Sequence, residues 1–148
     1  MARRIEFTVP GQPVGKGRAR VTTHGGFARA YTPEKTAVYE NLVKLSFQAI
    51  NETPLDGAIE VSILAYYAIP KSFSRKKRDA ALRGDIKPNV KPDLDNVIKS
   101  ICDGLNRVAY NDDKQITFIA AAKYYGEPAR VKIALKEVEN DIHAREKG

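Results

Sequence analysis

Apolar residues alternate with polar ones in two segments of the first half of the chain. Residues 5–9 (IEFTV) are β-prone and end at a Pro-Gly pair, which predicts a first strand. Residues 58–69 (AIEVSILAYYAI) place apolar or aromatic side chains at every second position, which predicts a long strand. Between the first strand and residue 32 there are five glycines, so we expect a long irregular loop there.

The pattern changes to a helical period after this loop. Thr32 suits a helix N-cap and Pro33 suits the first helical position, so we expect a helix over 33–50. Its predicted apolar stripe contains four residues, Val38, Leu42, Leu45 and Ala49.

The middle of the chain is basic and contains two prolines. Ser72 or Ser74 can cap a short basic helix that runs to about Arg83 and ends at Gly84. Residues 86–92 (IKPNVKP) should be extended or irregular, because the residue before each proline avoids the helical region.

A second long helix and two strands are predicted in the last third of the chain. The helix covers about 94–107, and its apolar stripe comprises Leu94, Val97, Ile98, Ile101, Leu105 and Val108. Gly104 either allows another element to approach closely or ends the helix. Residues 116–125 and 129–138 are predicted strands, joined at Gly126-Glu127-Pro128 as an antiparallel hairpin.

These elements follow the order β-α-β-α-α-β-β within 148 residues. We therefore expect a single α/β (α+β) domain over 1–148, with a mixed sheet of about four strands, two long helices and one short basic helix. The polar tail 139–148 is expected to be frayed.

Composition narrows the class of protein. The chain has 43% hydrophobic and 29% charged residues, as a folded globular domain does. It has no apolar run long enough to span a membrane and no secretory signal pattern, so we expect a cytoplasmic protein without membrane association. One cysteine, Cys102, and two separated histidines make an internal disulfide impossible and a structural zinc site improbable.

The formal net charge of +7 is concentrated in two places. Eight basic residues and two acidic ones lie between Lys71 and Lys91, and Lys16, Arg18 and Arg20 lie in the glycine-containing loop. Such clusters favour a polyanionic partner, above all nucleic acid. The alternative is a solvated surface helix and a flexible loop with no ligand.

Against this basic background, residues 91–116 (KPDLDNVIKSICDGLNRVAYNDDKQI) contain five aspartates. Asp93 is placed as the N-cap of the second long helix and Asp95 lies in its first turn, where the two carboxylates can converge because the chain changes from extended to helical. Helix capping, an Asp95–Lys99 ion pair and a turn at Asp112-Asp113 are the structural alternatives.

Taken together, these residues suit metal-dependent hydrolysis of a phosphodiester. Magnesium takes oxygen ligands, holds one or two protein carboxylates and keeps its other positions for water and phosphate. Asp93, Asp95 and Asp113 supply carboxylates, and Lys99 supplies a cation for the charge that develops on phosphorus. No histidine lies in the segment to act as a general base, so the metal is expected to activate the water.

The same segment resembles the signature of the RusA-type Holliday-junction endodeoxyribonucleases. That signature has a basic residue two before D-L-D-N-x-x-K, then D-G/A-L, and then D-D-x-Q leading into a strand. The stretch FTVPGQPVGKGRARV also resembles the amino-terminal segment of many family members.

The resemblance implies that Asp93, Asp95 and Asp113 bind the metal and that Lys99 is essential, with Asp112 a neighbour. It further implies a homodimer that uses Mg²⁺, or Mn²⁺ in its place, and resolves four-way DNA junctions by paired symmetric cuts in DNA recombination and repair. Family members are commonly carried by prophages. The expected products are 5′-phosphate and 3′-hydroxyl ends.

We expect phosphate contacts from the basic residues of the loop, of the short helix and of the segment before Asp93, namely Lys16, Arg18, Arg20, Arg75, Lys76, Lys77, Arg78 and Lys91. Two other functions stay open on sequence grounds. One is a non-catalytic nucleic-acid-binding protein in which the aspartates cap helices. The other is a nuclease for other branched DNA.

Overall fold

A mixed four-stranded sheet with the order β1-β6-β4-β5 carries the domain in this computed structural model. The structure describes residues 2–18, 20–24, 27–31, 33–50 and 53–139, with backbone only at 20–24 and 27–31. The strands are β1 (Arg4–Pro10), β2 (Arg20–His24), β3 (Phe27–Tyr31), β4 (Ile59–Tyr67), β5 (Ile116–Tyr125) and β6 (Arg130–Glu137). The helices are α1 (Glu34–Gln48), α2 (Arg75–Leu82) and α3 (Leu94–Leu105), and a 3-10 turn covers Asp113–Gln115.

The predicted fold class is confirmed, since three helices accompany a mixed sheet in which β4 and β5 are parallel and the other pairs are antiparallel. The prediction of an irregular loop before α1 is wrong in part. Residues 20–24 and 27–31 pair as an antiparallel two-stranded sheet of their own. Gly25-Gly26 separates these strands in the sequence, and such a pair favours a tight hairpin connection.

The predicted hairpin of β5 and β6 is also wrong, because β4 lies between these two strands. The connection after β5 crosses the end of β4, where the Gly126 N–H donates to the Tyr67 carbonyl at 3.0 Å. Sequence proximity favours pairing of consecutive strands, but β4 is the most apolar strand and is buried best between two neighbours.

Alternation along β4 buries one face of the sheet against α1 and α3. Five residues of this strand are buried, Ile59, Val61, Ile63, Ala65 and Tyr67. The predicted stripe of α3 is largely confirmed, with Val97, Ile101 and Leu105 fully buried. These contacts fix α3, and therefore the aspartates at its ends, on the sheet.

The predicted buried stripe of α1 is wrong. Val38 and Leu45 are 63% and 53% exposed, and Ala49 is exposed too. The helix instead buries Thr36, Tyr39, Val43 and Phe47. Phe47 packs edge-on against Phe7 of β1, and the α3 backbone approaches α1 closely at Gly104, so the aromatic face is the one that fits the core.

Helix boundaries agree with the sequence within about two residues. Ser74, one of the two predicted caps, accepts from the Lys77 N–H at the start of α2, and Gly84 follows its end with φ of 83°. Thr32 and residues 140–148, the predicted cap of α1 and most of the predicted tail, lie outside the described residues.

Candidate active site

Asp93 occupies the N-cap position of α3 but does not cap it with its side chain. Its backbone is extended (φ −65°, ψ 145°), and its carbonyl accepts from the N–H groups of Asn96 and Val97, both at 3.1 Å. The carboxylate makes no hydrogen bond to the first turn of the helix. Helix capping therefore does not account for this side chain.

Asp93 lines a cleft of about 600 Å³ between the loop 12–17 and the start of α3. Three lysines line the same cleft, Lys16, Lys35 and Lys91. A carboxylate beside several ammonium groups suits a ligand that carries both metal and phosphate. Sequence analysis missed Lys35, because it lies on α1 far from the other two lysines in the chain and reaches the cleft only through helix packing.

Close packing holds the loop against α3. The Lys16 N–H donates to the Asn96 carbonyl at 2.8 Å, and the Ser100 hydroxyl donates to the Val14 carbonyl at 2.6 Å. A Cβ on Gly15 would lie 2.9 Å from the Cβ of Pro92 and 3.1 Å from that of Asn96. Glycine at this position therefore lets the wall of the cleft approach the residues that flank Asp93.

The segment before Asp93 is fixed to the carboxyl ends of β4 and β5. The Tyr67 hydroxyl donates to the Pro92 carbonyl at 2.6 Å, and the Lys123 ammonium donates to the Val90 carbonyl at 2.6 Å. Burial and the nearby charge of Asp93 raise the pKa of Tyr67 to about 12, so this hydroxyl stays a donor at neutral pH. The two bonds position Asp93 at this corner of the sheet.

Asp95 and Lys99 lie one turn apart on α3, and both are exposed. Neither lines the cleft. Within the described part of the chain, the ion pairs do not include Asp95 with Lys99, so that structural alternative is not observed. Both side chains remain accessible beside the cleft mouth.

Asp112 and Asp113 differ in their structural roles. Asp112 caps the 3-10 turn: it accepts from the Lys114 N–H at 2.9 Å, and the Gln115 side chain completes a capping box. Asp113 is the first residue of the turn and is exposed. The structural alternative therefore explains Asp112 and leaves Asp113 without a capping role.

Asp113 lies at the opposite end of α3 from Asp93. The charge of Asp103, in the last turn of α3, contributes to a raised pKa of Asp113, after the hydrogen bond and charge of Asp112. Residues 93 and 103 are about 15 Å apart along a helix that rises 1.5 Å per residue. Over residues 2–139, apart from the undescribed positions, no group of three His, Cys, Asp or Glu is placed to hold a metal ion.

Comparison with known proteins matches these features to one family. The family model described as "Endodeoxyribonuclease RusA" matches residues 10–136. The chain belongs to the RusA family. It is also 36% identical over 137 residues to "Uncharacterized protein YqaN" of Bacillus subtilis (strain 168), covering 90% of this chain and 96% of that protein.

Membership in the RusA family identifies the protein as a Holliday-junction endonuclease, a hydrolase that acts on branched DNA. RusA nucleases generally depend on a divalent metal. None of the helices in the described ranges is long and apolar enough to cross a membrane.

The loop residues expected to contact DNA in this RusA-family protein differ in availability. Lys16 is bound to Glu40 at 2.9 Å and to Asp103 at 3.1 Å, so carboxylates already offset its charge. Arg18 is exposed. The side chain of Arg20 lies outside the described residues.

The basic helix α2 presents Arg75, Lys76 and Lys77 to solvent, as expected for a DNA-contacting surface. Arg78 is exposed too, but it forms an ion pair with Glu127. Lys77 also lies 4.2 Å from the ring centre of Phe73. Lys91, by contrast, lies in the cleft itself, beside Asp93.

Proposed function

We propose that this RusA-family chain is a homodimeric, Mg²⁺-dependent endonuclease that resolves four-way DNA junctions by paired symmetric cuts. The observation that carries the proposal is the uncapped Asp93 carboxylate in a cleft lined by Lys16, Lys35 and Lys91. The products would be 5′-phosphate and 3′-hydroxyl ends. The protein would act in recombination and repair in the cytoplasm, as a function of the kind carried by prophages.

The donor set fits a hard divalent cation. Asp93 and Asp95 offer oxygen ligands at the start of one helix, and magnesium commonly takes one or two carboxylates while keeping positions for phosphate and water. When bound, Mg²⁺ or Mn²⁺ supplies water activation and stabilisation of charge at the scissile phosphate. Lys91 and Lys35 would hold the phosphodiester in the cleft, and Lys99 would offset charge at its mouth.

Asp113 is proposed as the third carboxylate, supplied by the second subunit. One subunit separates it from Asp93 by the length of α3, while Asp112 rather than Asp113 is used for capping. A two-fold dimer can bring such distant residues together, because each subunit then contributes one end of α3 to each of two equivalent sites.

The edge strand β5 is the proposed dimer contact. It ends the sheet on one side, and Phe118 and Ile119 are 53% and 41% exposed. No charged residue or proline lies between Gln115 and Ala122, although natural edge strands usually carry such residues when they stay unpaired. A second copy of β5 is therefore the occupant that its unpaired backbone and apolar side chains favour.

Antiparallel pairing of two β5 strands reverses their ends. The partner subunit's Asp113, just before its β5, would approach the end of this β5, where Lys123 holds Val90 and Tyr67 holds Pro92. Asp93 is the next residue after Pro92. The proposed interface thus accounts for how a divided set of carboxylates forms two complete sites.

The test is cleavage of a synthetic four-way junction, beside a linear duplex and a fork, with Mg²⁺, Mn²⁺ or EDTA. We expect paired symmetric nicks in the junction alone, lost with EDTA. Asp93→Asn should abolish cutting and keep junction binding, because it removes a metal ligand and a charge that repels phosphate. Tight binding without cutting in either metal contradicts the proposal, and equal cutting of the fork would broaden the substrate to branched DNA.

A further inference from the structure

Two tyrosines stack on the face of the sheet opposite α1 and α3. Tyr67 and Tyr125 point into the core, so the preceding residues, Tyr66 and Tyr124, point to the other face by the alternation of a strand. They are direct neighbours in the β4–β5 register, and their rings are 5.9 Å apart at 29°.

Three cations lie on these rings. Arg130 is 4.2 Å and Lys132 5.5 Å from the centre of the Tyr66 ring, and Lys87 is 4.5 Å from that of Tyr124. Arg130 also donates to the Pro128 carbonyl at 2.7 Å. We name this set, Lys87, Arg130, Lys132, Tyr66 and Tyr124, the tyrosine–cation patch.

The patch keeps its positive charge. Carboxylates bind many other cations of the described surface, namely Arg3, Arg4, Lys16, Arg78 and Arg83. The ion pairs of the described residues do not include Lys87, Arg130 or Lys132. An aromatic ring attracts a cation through its quadrupole without cancelling the charge, so the rings hold three positive groups in place with their net charge intact.

We infer that the tyrosine–cation patch binds the phosphodiester backbone of a DNA arm, independently of sequence. The inference rests on the proposed function for its choice of DNA as the polyanion. Each tyrosine has one face against the other ring and cations over it, which favours phosphate contacts over base stacking. Sequence analysis missed the patch, because Arg130 and Lys132 alternate with apolar residues in a strand.

The position of the patch suits an arm that also enters the cleft. The segment from Lys87 on the outer face to Asp93 runs past Val90, bound by Lys123 on the inner face. Seven residues span at most about 20 Å, less than one turn of duplex DNA at about 34–36 Å. One duplex arm can therefore contact both the patch and the cleft at this corner of the sheet.

The test compares two double variants with equal loss of charge. Lys87→Ala/Lys132→Ala removes patch cations, whereas Lys44→Ala/Lys136→Ala removes exposed lysines elsewhere; Lys132 and Lys136 share a strand and a face. Binding to junction and linear duplex is measured in EDTA over a range of salt concentrations. We expect the patch variant to bind both DNAs more weakly and to lower the slope of log K against log salt by about 1.8, at about 0.9 per phosphate contact.

The control variant should keep the wild-type affinity and slope. An unchanged slope and affinity in the patch variant, or an equal loss in both variants, overturns the inference and leaves the cleavage proposal intact. If the wild-type protein binds through the patch but cuts no junction with metal, the proposed function fails while the patch stands.

Discussion

The side chains of Asp112 and Asp113 are hydrogen-bonded to each other, and the contact shifts their pKa values in opposite directions. The Lys114 N–H is the main cause of the lowered pKa of Asp112, because it binds the carboxylate that caps the turn. The pKa of Asp113 is raised, chiefly by the hydrogen bond to Asp112 and also by the charge of Asp103. Two adjacent aspartates thus have separate roles, one in the turn and one available to a cation.

This division predicts different results for two otherwise identical substitutions. Asp113→Asn should abolish junction cutting in Mg²⁺ and keep binding. Asp112→Asn should keep most of the cutting, because asparagine is also a good cap and the turn survives. Single-turnover cleavage of a labelled junction measures both. Loss of cutting in Asp112→Asn with normal activity in Asp113→Asn would reverse the assignment.

Mixing two inactive variants tests whether the site is shared between subunits. If Asp93 and Asp113 act across the dimer, a heterodimer of Asp93→Asn with Asp113→Asn has one site with both aspartates intact. Nicking should then return in the mixture, to about a quarter of wild-type sites with random exchange. If each subunit forms its own site, both sites of the heterodimer lack a ligand and the mixture stays inactive.

A charged residue on β5 should weaken the dimer. Phe118→Lys places a cation at the centre of the proposed contact, whereas Val38→Lys changes an equally exposed residue on α1. We expect sedimentation equilibrium to show monomers for the β5 variant at concentrations where wild type and the α1 variant are dimers. The opposite result would place the interface on the exposed apolar stripe of α1.

Gly104→Ala should destabilise the protein, although alanine normally stabilises a helix. A Cβ at this position would lie 2.8 Å from the Glu40 carbonyl oxygen and 3.0 Å from the Val43 Cβ, so α1 and α3 would have to separate. Overpacking of this kind costs about 1–3 kcal/mol. Urea unfolding measures the change, and a gain in stability would show that the two helices are free to move apart.

Glu137 should contribute stability that depends on pH. Its carboxylate accepts from the backbone N–H groups of Asp56 and Arg3, at 2.7 and 2.9 Å, and these bonds lower its pKa. A lowered folded-state pKa gives stability that is present above the unfolded value, about 4.3, and is lost as pH falls through the folded value.

Glu137→Gln should therefore unfold at a lower temperature than wild type at pH 7, with the difference shrinking below about pH 4. Glu6→Gln is the control, because Glu6 pairs with Arg4 at an exposed site and such pairs contribute little. A difference that stays constant from pH 7 to pH 3 would assign the effect to shape rather than charge.

Sequence analysis succeeded where the signal lies within a few residues. The single apolar stripe of α3 fixed which side of that helix meets the sheet, and the extended backbone before Leu94 placed Asp93 at the helix start. Ser74 and Gly84 bound α2 through local hydrogen bonding and a positive φ. In α1 the same reasoning failed, because two stripes share the helical period and only packing against Phe7 and Gly104 selects one.

The sequence by itself determined the family signature, the number of main-sheet strands and the two ends of α3 where the carboxylates lie. Tertiary structure alone decided that β4 separates β5 from β6, that Lys35 joins the cleft, and that Asp113 is remote from Asp93 within one subunit. The physical reason is range. Capping and periodicity act over one or two turns, whereas strand order and the meeting of charges depend on contacts between residues far apart in the chain.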